Sequence, residues 1–342
     1  MHLRDIDAAL HIQAVYRSNK ARQTCSGKRC CINPLLDYPN LCFDGYGSQP
    51  FFHQINLNYP NLQLIHENPY IFVVRDFLCD ELCDILVANY ATSMPHPSAT
   101  YPEQSSHRTS TTVYPADTDH TVSVLRAACA ELAKVDLTQL EPAKLTCYAK
   151  GQFFRRHIDA NFALEKSAWL QRMAAHVGSG GDPSEMTRAA EPCHWPARIC
   201  TILIYLNDAS EGGCTTFTFK DIAGESTVER DCKFSQVLSL ISRLMGLDQQ
   251  PPSYRSSSHP NPKPLRIVPK KGMAVVHFPA TGPWCMCLPD TSSVHEAETA
   301  VTPKFIAQQF IWPSKFEPEK STVPEVRRLW REILLTRDQV MV

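Results

Sequence analysis

Three metal-ligating side chains and one lysine carry the chemistry that can be read from this chain. His157 and Asp159 stand two apart in YAKGQFFRRHIDAN, and His295 precedes Lys304 by nine residues in SSVHEAETAVTPKF. Successive side chains of a strand alternate faces, so the spacing predicts that His157 and Asp159 point into one cavity while Ile158 turns away. One imidazole and one carboxylate so placed, joined by an imidazole from another strand, cover one triangular face of an octahedral ion. Three positions stay open, which suits non-haem Fe(II) with O2 and a chelating cosubstrate. The tripeptide H-x-D is common, and thirteen histidines offer many accidental third ligands. Lys304 narrows the reading. A buried ammonium needs an anionic partner, and a dicarboxylate that chelates the metal at one end supplies it at the other; the alternative for Lys304 is an ordinary surface residue.

The surrounding sequence predicts how these residues are held. Residues 1–65 read as an extension, a short basic helical segment followed by a Cys, Pro, Asn and Gly-rich stretch, with a compact domain starting near Pro69. There YIFVVRDF reads as a strand and CDELCDILVANYATS as a helix with Leu82, Ile85, Leu86 and Tyr90 on one stripe; Asp80 and Glu81 suit its first turn. A second helix is predicted over HTVSVLRAACAELAKV, where Val122, Leu125, Cys129 and Leu132 share a face. After it come short β-rich runs: KLTCYA, QFFRRHID, RICTILIYLND, TTFTF, LRIVPK, MAVVHF and KFIAQQFIW. Helices followed by many short strands predict an α+β protein built on an antiparallel sandwich or barrel. Two inserts interrupt it, at about 163–196 and 221–264, each with a predicted helix and a Gly, Pro or Ser-rich stretch, and residues 316–342 read as a terminal helix.

Composition excludes several classes of partner. The 34 Lys plus Arg nearly balance the 35 Asp plus Glu, so no field favours nucleic acid or anionic membranes. The first twenty residues carry charges throughout and lack a signal peptide's apolar run, and no stretch approaches the roughly 20 apolar residues of a membrane span. The expectation is a soluble, cytoplasmic protein with mostly free thiols among its 14 cysteines. A zinc cluster of Cys25, Cys30, Cys31 and Cys42 is the competing reading of the N-terminal cysteines, and Cys285 with Cys287 lacks a ligand pair's spacing.

From about Pro69 to Trp312 the chain resembles the prolyl 4-hydroxylase branch of the 2-oxoglutarate and Fe(II)-dependent dioxygenases. The resemblance runs in order through VVRDFLCDELCD, HRTSTTVY, LTCYAKGQFFRRHID, LIYLNDASEGGCTTF, KKGMAVVHF and SSVHEAETAVTPKF. It implies a double-stranded β-helix (jelly roll, cupin-like) core with flanking N-terminal helices, a dioxygenase domain over 66–315, and iron held by His157, Asp159 and His295. It further implies that Lys304 binds the distal carboxylate of 2-oxoglutarate, assisted by the hydroxyl of Tyr148, with Thr215 as a further contact. Tyr148 also reads as a plain core aromatic, and Gly212 with Gly213 as a tight turn. Fe(II), 2-oxoglutarate and O2 are the implied cofactors, with ascorbate to rescue oxidised iron. The implied reaction hydroxylates a substrate C–H, peptidyl proline first, and releases succinate and CO2. The chain departs from the pattern in lacking the Gly that ordinarily precedes the Lys, since Pro303 adjoins Lys304, and in the long separation of His157 and His295, whose numbers differ by 138.

The expected partner is a protein or peptide substrate. Arg108 reads equally as a peptide-positioning residue or as a brace for the sheet. Ile12, Gln13, Arg17 and Arg22 fit the I-Q-x-x-x-R-x-x-x-x-R pattern, so segment 12–22 reads as a docking helix for a calmodulin-like partner or as a solvated helix that matches by chance. The rival functions are the same chemistry on another protein residue or a small molecule, a cupin-like hydrolase with a different metal, and a non-catalytic jelly-roll interaction protein. Retention of all four site residues weighs against the last.

Overall fold

The computed structural model describes residues 55–67, 69–91, 107–160, 198–209, 211–219, 263–281, 288–312 and 315–316. The IQ-like segment, the four N-terminal cysteines, both inserts and the C-terminal helix lie outside the described residues. Two helices, α1 (Asp80–Tyr90) and α2 (His120–Ala133), accompany β1 (Leu62–Glu67), β2 (Tyr70–Val74), β3 (Thr111–Val113), β4 (Lys144–Tyr148) and β5 (Phe154–His157). The remaining strands are β6 (Cys200–Tyr205), β7 (Thr215–Phe217), β8 (Leu265–Ile267), β9 (Ala274–His277), β10 (Ala280–Thr281), β11 (Leu288–Pro289), β12 (His295–Ala297) and β13 (Lys304–Ile311).

A seven-stranded antiparallel sheet has the order β1-β2-β9-β6-β13-β4-β3, and a four-stranded one the order β5-β12-β7-β8. From β4 onward the chain crosses between them: β4 large, β5 small, β6 large, β7 and β8 small, β9 large, β12 small, β13 large. Eight strands wound between two sheets in that order are a double-stranded β-helix, so the predicted jelly-roll core with flanking helices is what the chain forms.

The core follows from strand alternation. In β6 Ile202 and Ile204 pack with Leu82, Leu86, Leu125 and Leu132 of the two helices, while Leu203 and Tyr205 pack between the sheets with Phe217, Val275 and Ile306. Both faces of β6 are buried, which is why CTILIY carries no charge and only Thr201 interrupts its apolar run. On α2 the four predicted stripe residues are all buried, and Asp119 caps its first turn, accepting from the amides of Thr121 and Val122 at 2.8 and 3.3 Å. On α1 Cys83 is buried and Ile85 only half-buried, a rotation of the expected stripe.

Residues 55–65, read from sequence as the end of an extension, belong to the core. Ile55 and Tyr59 are buried, and β1 pairs with β2 from Leu62↔Val74 to Glu67↔Tyr70. The Pro and Asn residues ahead of LQLIHE conceal a strand whose alternating Leu62 and Leu64 face the core. Six cysteines, Cys79, Cys83, Cys129, Cys147, Cys200 and Cys214, are free thiols. Among the described residues no helix is long and apolar enough to cross a membrane.

Candidate active site and metal centre

His157 ends β5 and His295 begins β12, and the two are direct partners across the antiparallel pair. Asp159 lies past the end of β5, so the expected presentation of His157 and Asp159 from one strand needs correction: the strand stops at His157 and the carboxylate comes from the irregular residues that follow. The three still converge. One ligand atom from each lies within 4.8 Å of the other two, with His157 Nε2 3.6 Å from Asp159 Oδ1 and His295 Nε2 3.6 Å from Oδ2.

Each histidine is oriented by its own backbone. His157 Nδ1 lies 2.8 Å from the carbonyl of Arg155, and His295 Nδ1 lies 3.0 Å from that of Ser293. A carbonyl only accepts, so Nδ1 carries the proton in both rings and both Nε2 lone pairs face Asp159. The rings are walled by aromatics: Phe154 stacks on His157 at 3.5 Å between centroids, and Phe217 lies 5.2 Å from His295.

Burial pushes the His157 imidazole well below its ordinary pKa, with the neighbouring His295 acting in the same direction, and pushes His295 down to about 4. For Asp159 burial acts the other way, but His295, His277 and His157 together outweigh it and hold the carboxyl well below the usual range. Two neutral imidazoles and one ionised carboxylate are the protonation state a metal requires. Asp159 is 5% exposed, and its Oδ2 has no hydrogen bond among the described residues. A buried carboxylate facing two imidazole lone pairs calls for a cation, and the N, N, O donor set fits a divalent transition ion with open positions.

Beside this triad a pocket between the sheets is lined by Tyr148, Thr215 and Lys304 along with both histidines. Lys304 opens β13 opposite Tyr148 and is 1% exposed. Its Nζ donates to the Gly213 carbonyl at 2.6 Å and lies 5.0 and 5.7 Å from the ring centroids of Tyr148 and Tyr205. Burial lowers its pKa to about 7. Pro303 does not displace it, because Asn207 ties down both sides, donating to the Pro303 carbonyl at 2.8 Å and accepting from the Phe305 amide at 2.7 Å. Thr215 accepts from the Tyr205 hydroxyl at 2.8 Å. Gly213 has φ +64°, and a Cβ there would meet Lys304 Cδ at 3.2 Å, so it does more than close a turn. Arg108 braces the sheet: it is buried, donates to Ser110 Oγ at 2.8 Å and covers the Phe154 ring at 4.5 Å.

Sequence reasoning missed three contributors. Arg198 donates at 3.3 Å to the backbone carbonyl of Asp159 and forms a two-pronged pair with buried Glu141, at 2.7 and 2.8 Å. Glu141 also accepts from Trp312 Nε1 at 2.8 Å, which links the loop of Asp159 to the end of β13. His277 of β9 has its Nε2 3.3 Å from Asp159 Oδ2. The available signal was a histidine at an inward position of the otherwise apolar MAVVHF, since a polar residue in a core strand is the informative exception.

No protein-family profile matches the chain, and no curated protein matches it by sequence. Among solved structures it is similar to a viral collagen prolyl hydroxylase from Paramecium Bursaria Chlorella virus-1 in complex with 2OG, at 15% identity and TM-score 0.41 over 73% of this chain and 99% of that one. A Pseudomonas putida prolyl-4-hydroxylase is similar at 13% identity and TM-score 0.36, over 71% and 91% of the two chains. A Trichoplax adhaerens prolyl hydroxylase in complex with a hypoxia inducible factor peptide fragment is similar at 12% identity and TM-score 0.41, over 71% and 83%.

Proposed function

We propose that this protein is an Fe(II)- and 2-oxoglutarate-dependent dioxygenase that hydroxylates a substrate C–H. The observation that carries the reading is the pair of histidines whose Nδ1–H groups are engaged by backbone carbonyls, leaving two Nε2 lone pairs turned on one buried carboxylate. His157, Asp159 and His295 would hold the metal. Bound there, iron(II) with 2-oxoglutarate and O2 supplies the oxidising power that turns C–H into C–OH, releasing succinate and CO2.

The remaining residues act on the cosubstrate. Lys304 Nζ takes its distal carboxylate in a charge-assisted hydrogen bond. The Tyr148 phenol, kept protonated by burial, serves as a second donor, and Thr215 lines the same pocket. Phe154 and Phe217 shield the imidazoles from water. Peptidyl proline is the proposed substrate, on the ordered series of motifs from VVRDFLCDELCD to SSVHEAETAVTPKF, and ascorbate is proposed to restore iron oxidised in unproductive turnovers.

Anaerobic addition of Fe(II) and 2-oxoglutarate is expected to produce the visible charge-transfer band of the chelate, and admission of air to release succinate. His157→Ala should lose both signals. Wild-type protein that behaves like this variant would sink the proposal. A peptide screen by mass spectrometry for the gain of one oxygen atom on proline tests the substrate separately.

A further inference from the structure

His277 is 1% exposed, and neither of its ring nitrogens meets hydrogen-bond geometry with a partner among the described residues. An imidazole held that way between two sheets loses its hydration, and the nearest compensating group is the Asp159 carboxylate. β9 places it by alternation: Val275 and His277 face between the sheets, Ala274 and Val276 face the helices. Its ring meets Phe217 edge to face at 5.3 Å and lies 4.7 Å from the His295 ring. Its Nε2 stands 3.3 Å from Asp159 Oδ2, within reach but not aligned as a formed hydrogen bond, and that oxygen is itself unpartnered.

We infer that His277 is a positioning residue for the metal centre, donating its Nε2–H to Asp159 Oδ2 so that the carboxylate presents one oxygen to the ion. This rests on the metal-centre reading above and adds to it a fourth side chain. Direct ligation fits less well, because His277 does not join the three residues whose ligand atoms all lie within 4.8 Å of one another. Ligating carboxylates need such a partner: without one the group is free to rotate, and both of its oxygens compete for the ion. Donation to Asp159 requires the tautomer with the proton on Nε2, which leaves Nδ1 as a lone pair.

Co(II), a non-oxidising substitute for iron, separates the alternatives when titrated into wild type, His277→Phe, His277→Gln and His157→Ala. His277→Phe removes the donor yet suits the apolar wall. It is expected to bind Co(II) 10- to 100-fold more weakly while the metal-free protein melts no lower than wild type. His277→Gln, whose amide can place an N–H near the same point, is expected to recover binding to within roughly threefold with an unchanged Co(II) visible spectrum. Phe binding as tightly as wild type would overturn the inference, with the metal centre intact so long as His157→Ala still fails to bind. A Gln variant as weak as Phe with an altered spectrum would overturn it too, by making His277 a ligand. Wild type binding no better than His157→Ala would remove the metal centre and this role together.

Discussion

At the scale of single residues, the site is a matter of which protons are where. Lys304 is a cation placed where burial disfavours its charge, and its pKa falls to about 7. A bound dicarboxylate restores that charge, so binding takes up a proton above pH 7. Affinity for 2-oxoglutarate should therefore fall as pH rises from 7, by up to about tenfold per unit, and calorimetry in buffers of different ionisation heat should detect the proton. The ligand-free protein should show the opposite sense, gaining stability between about 7 and the ordinary value of 10.5 because there only the unfolded chain keeps the proton. Lys304→Ala should raise the 2-oxoglutarate dissociation constant by roughly 10- to 150-fold, the equivalent of one hydrogen bond to a charged group, and abolish the pH dependence. A pH-independent affinity in wild type would count against the lysine as the anion's partner.

At the scale of elements, the site depends on two strands in register and one loop pinned from behind. β5 and β12 set His157 against His295 directly, and β4 with β13 sets Tyr148 against Lys304. Asp159 belongs to neither pair. Its backbone is fixed by Arg198, whose guanidinium stacks on Phe310 at 3.6 Å and is held by buried Glu141. Glu141→Ala leaves Arg198 without its anion and Trp312 without its acceptor, and should destabilise the protein by about 3–5 kcal/mol in chemical denaturation. At temperatures where the variant stays folded, metal binding should weaken as well, since the Asp159 loop loses its anchor. A variant with wild-type stability would mean that the pair is dispensable to the fold.

At the scale of the whole molecule, the eight core strands enclose the pocket proposed to take the ligands. Ligands that bind only the folded state stabilise it by mass action, about 2.7 kcal/mol at a hundred times the dissociation constant. For a chain of this size that corresponds to a rise in Tm of roughly 3–5 °C. Co(II) together with 2-oxoglutarate should give such a rise in differential scanning fluorimetry, and each alone a smaller one. His157→Ala should show no response to the metal, and a rise equal to that of wild type would locate the ion elsewhere.

The sequence alone determined most of the frame and nominated the three residues that converge. Short alternating or continuous apolar runs specify strands locally, and the α2 stripe of Val122, Leu125, Cys129 and Leu132 specifies its buried face without reference to anything distant. It also nominated Lys304, by position on a strand. What only the tertiary structure decided are the relations between segments far apart in the chain. β1 was hidden because its pairing with β2, not its composition, makes it a strand. Asp159 seemed to belong to the strand of His157, but the strand stops first and the Glu141 and Arg198 pair, 57 residues apart, determines where its carboxylate goes. His277 could be noticed in MAVVHF but not understood, since a histidine acquires meaning only from what the opposite sheet sets 3.3 Å away. Periodicity is a local property of a chain, whereas a coordination site is assembled across the space between two sheets.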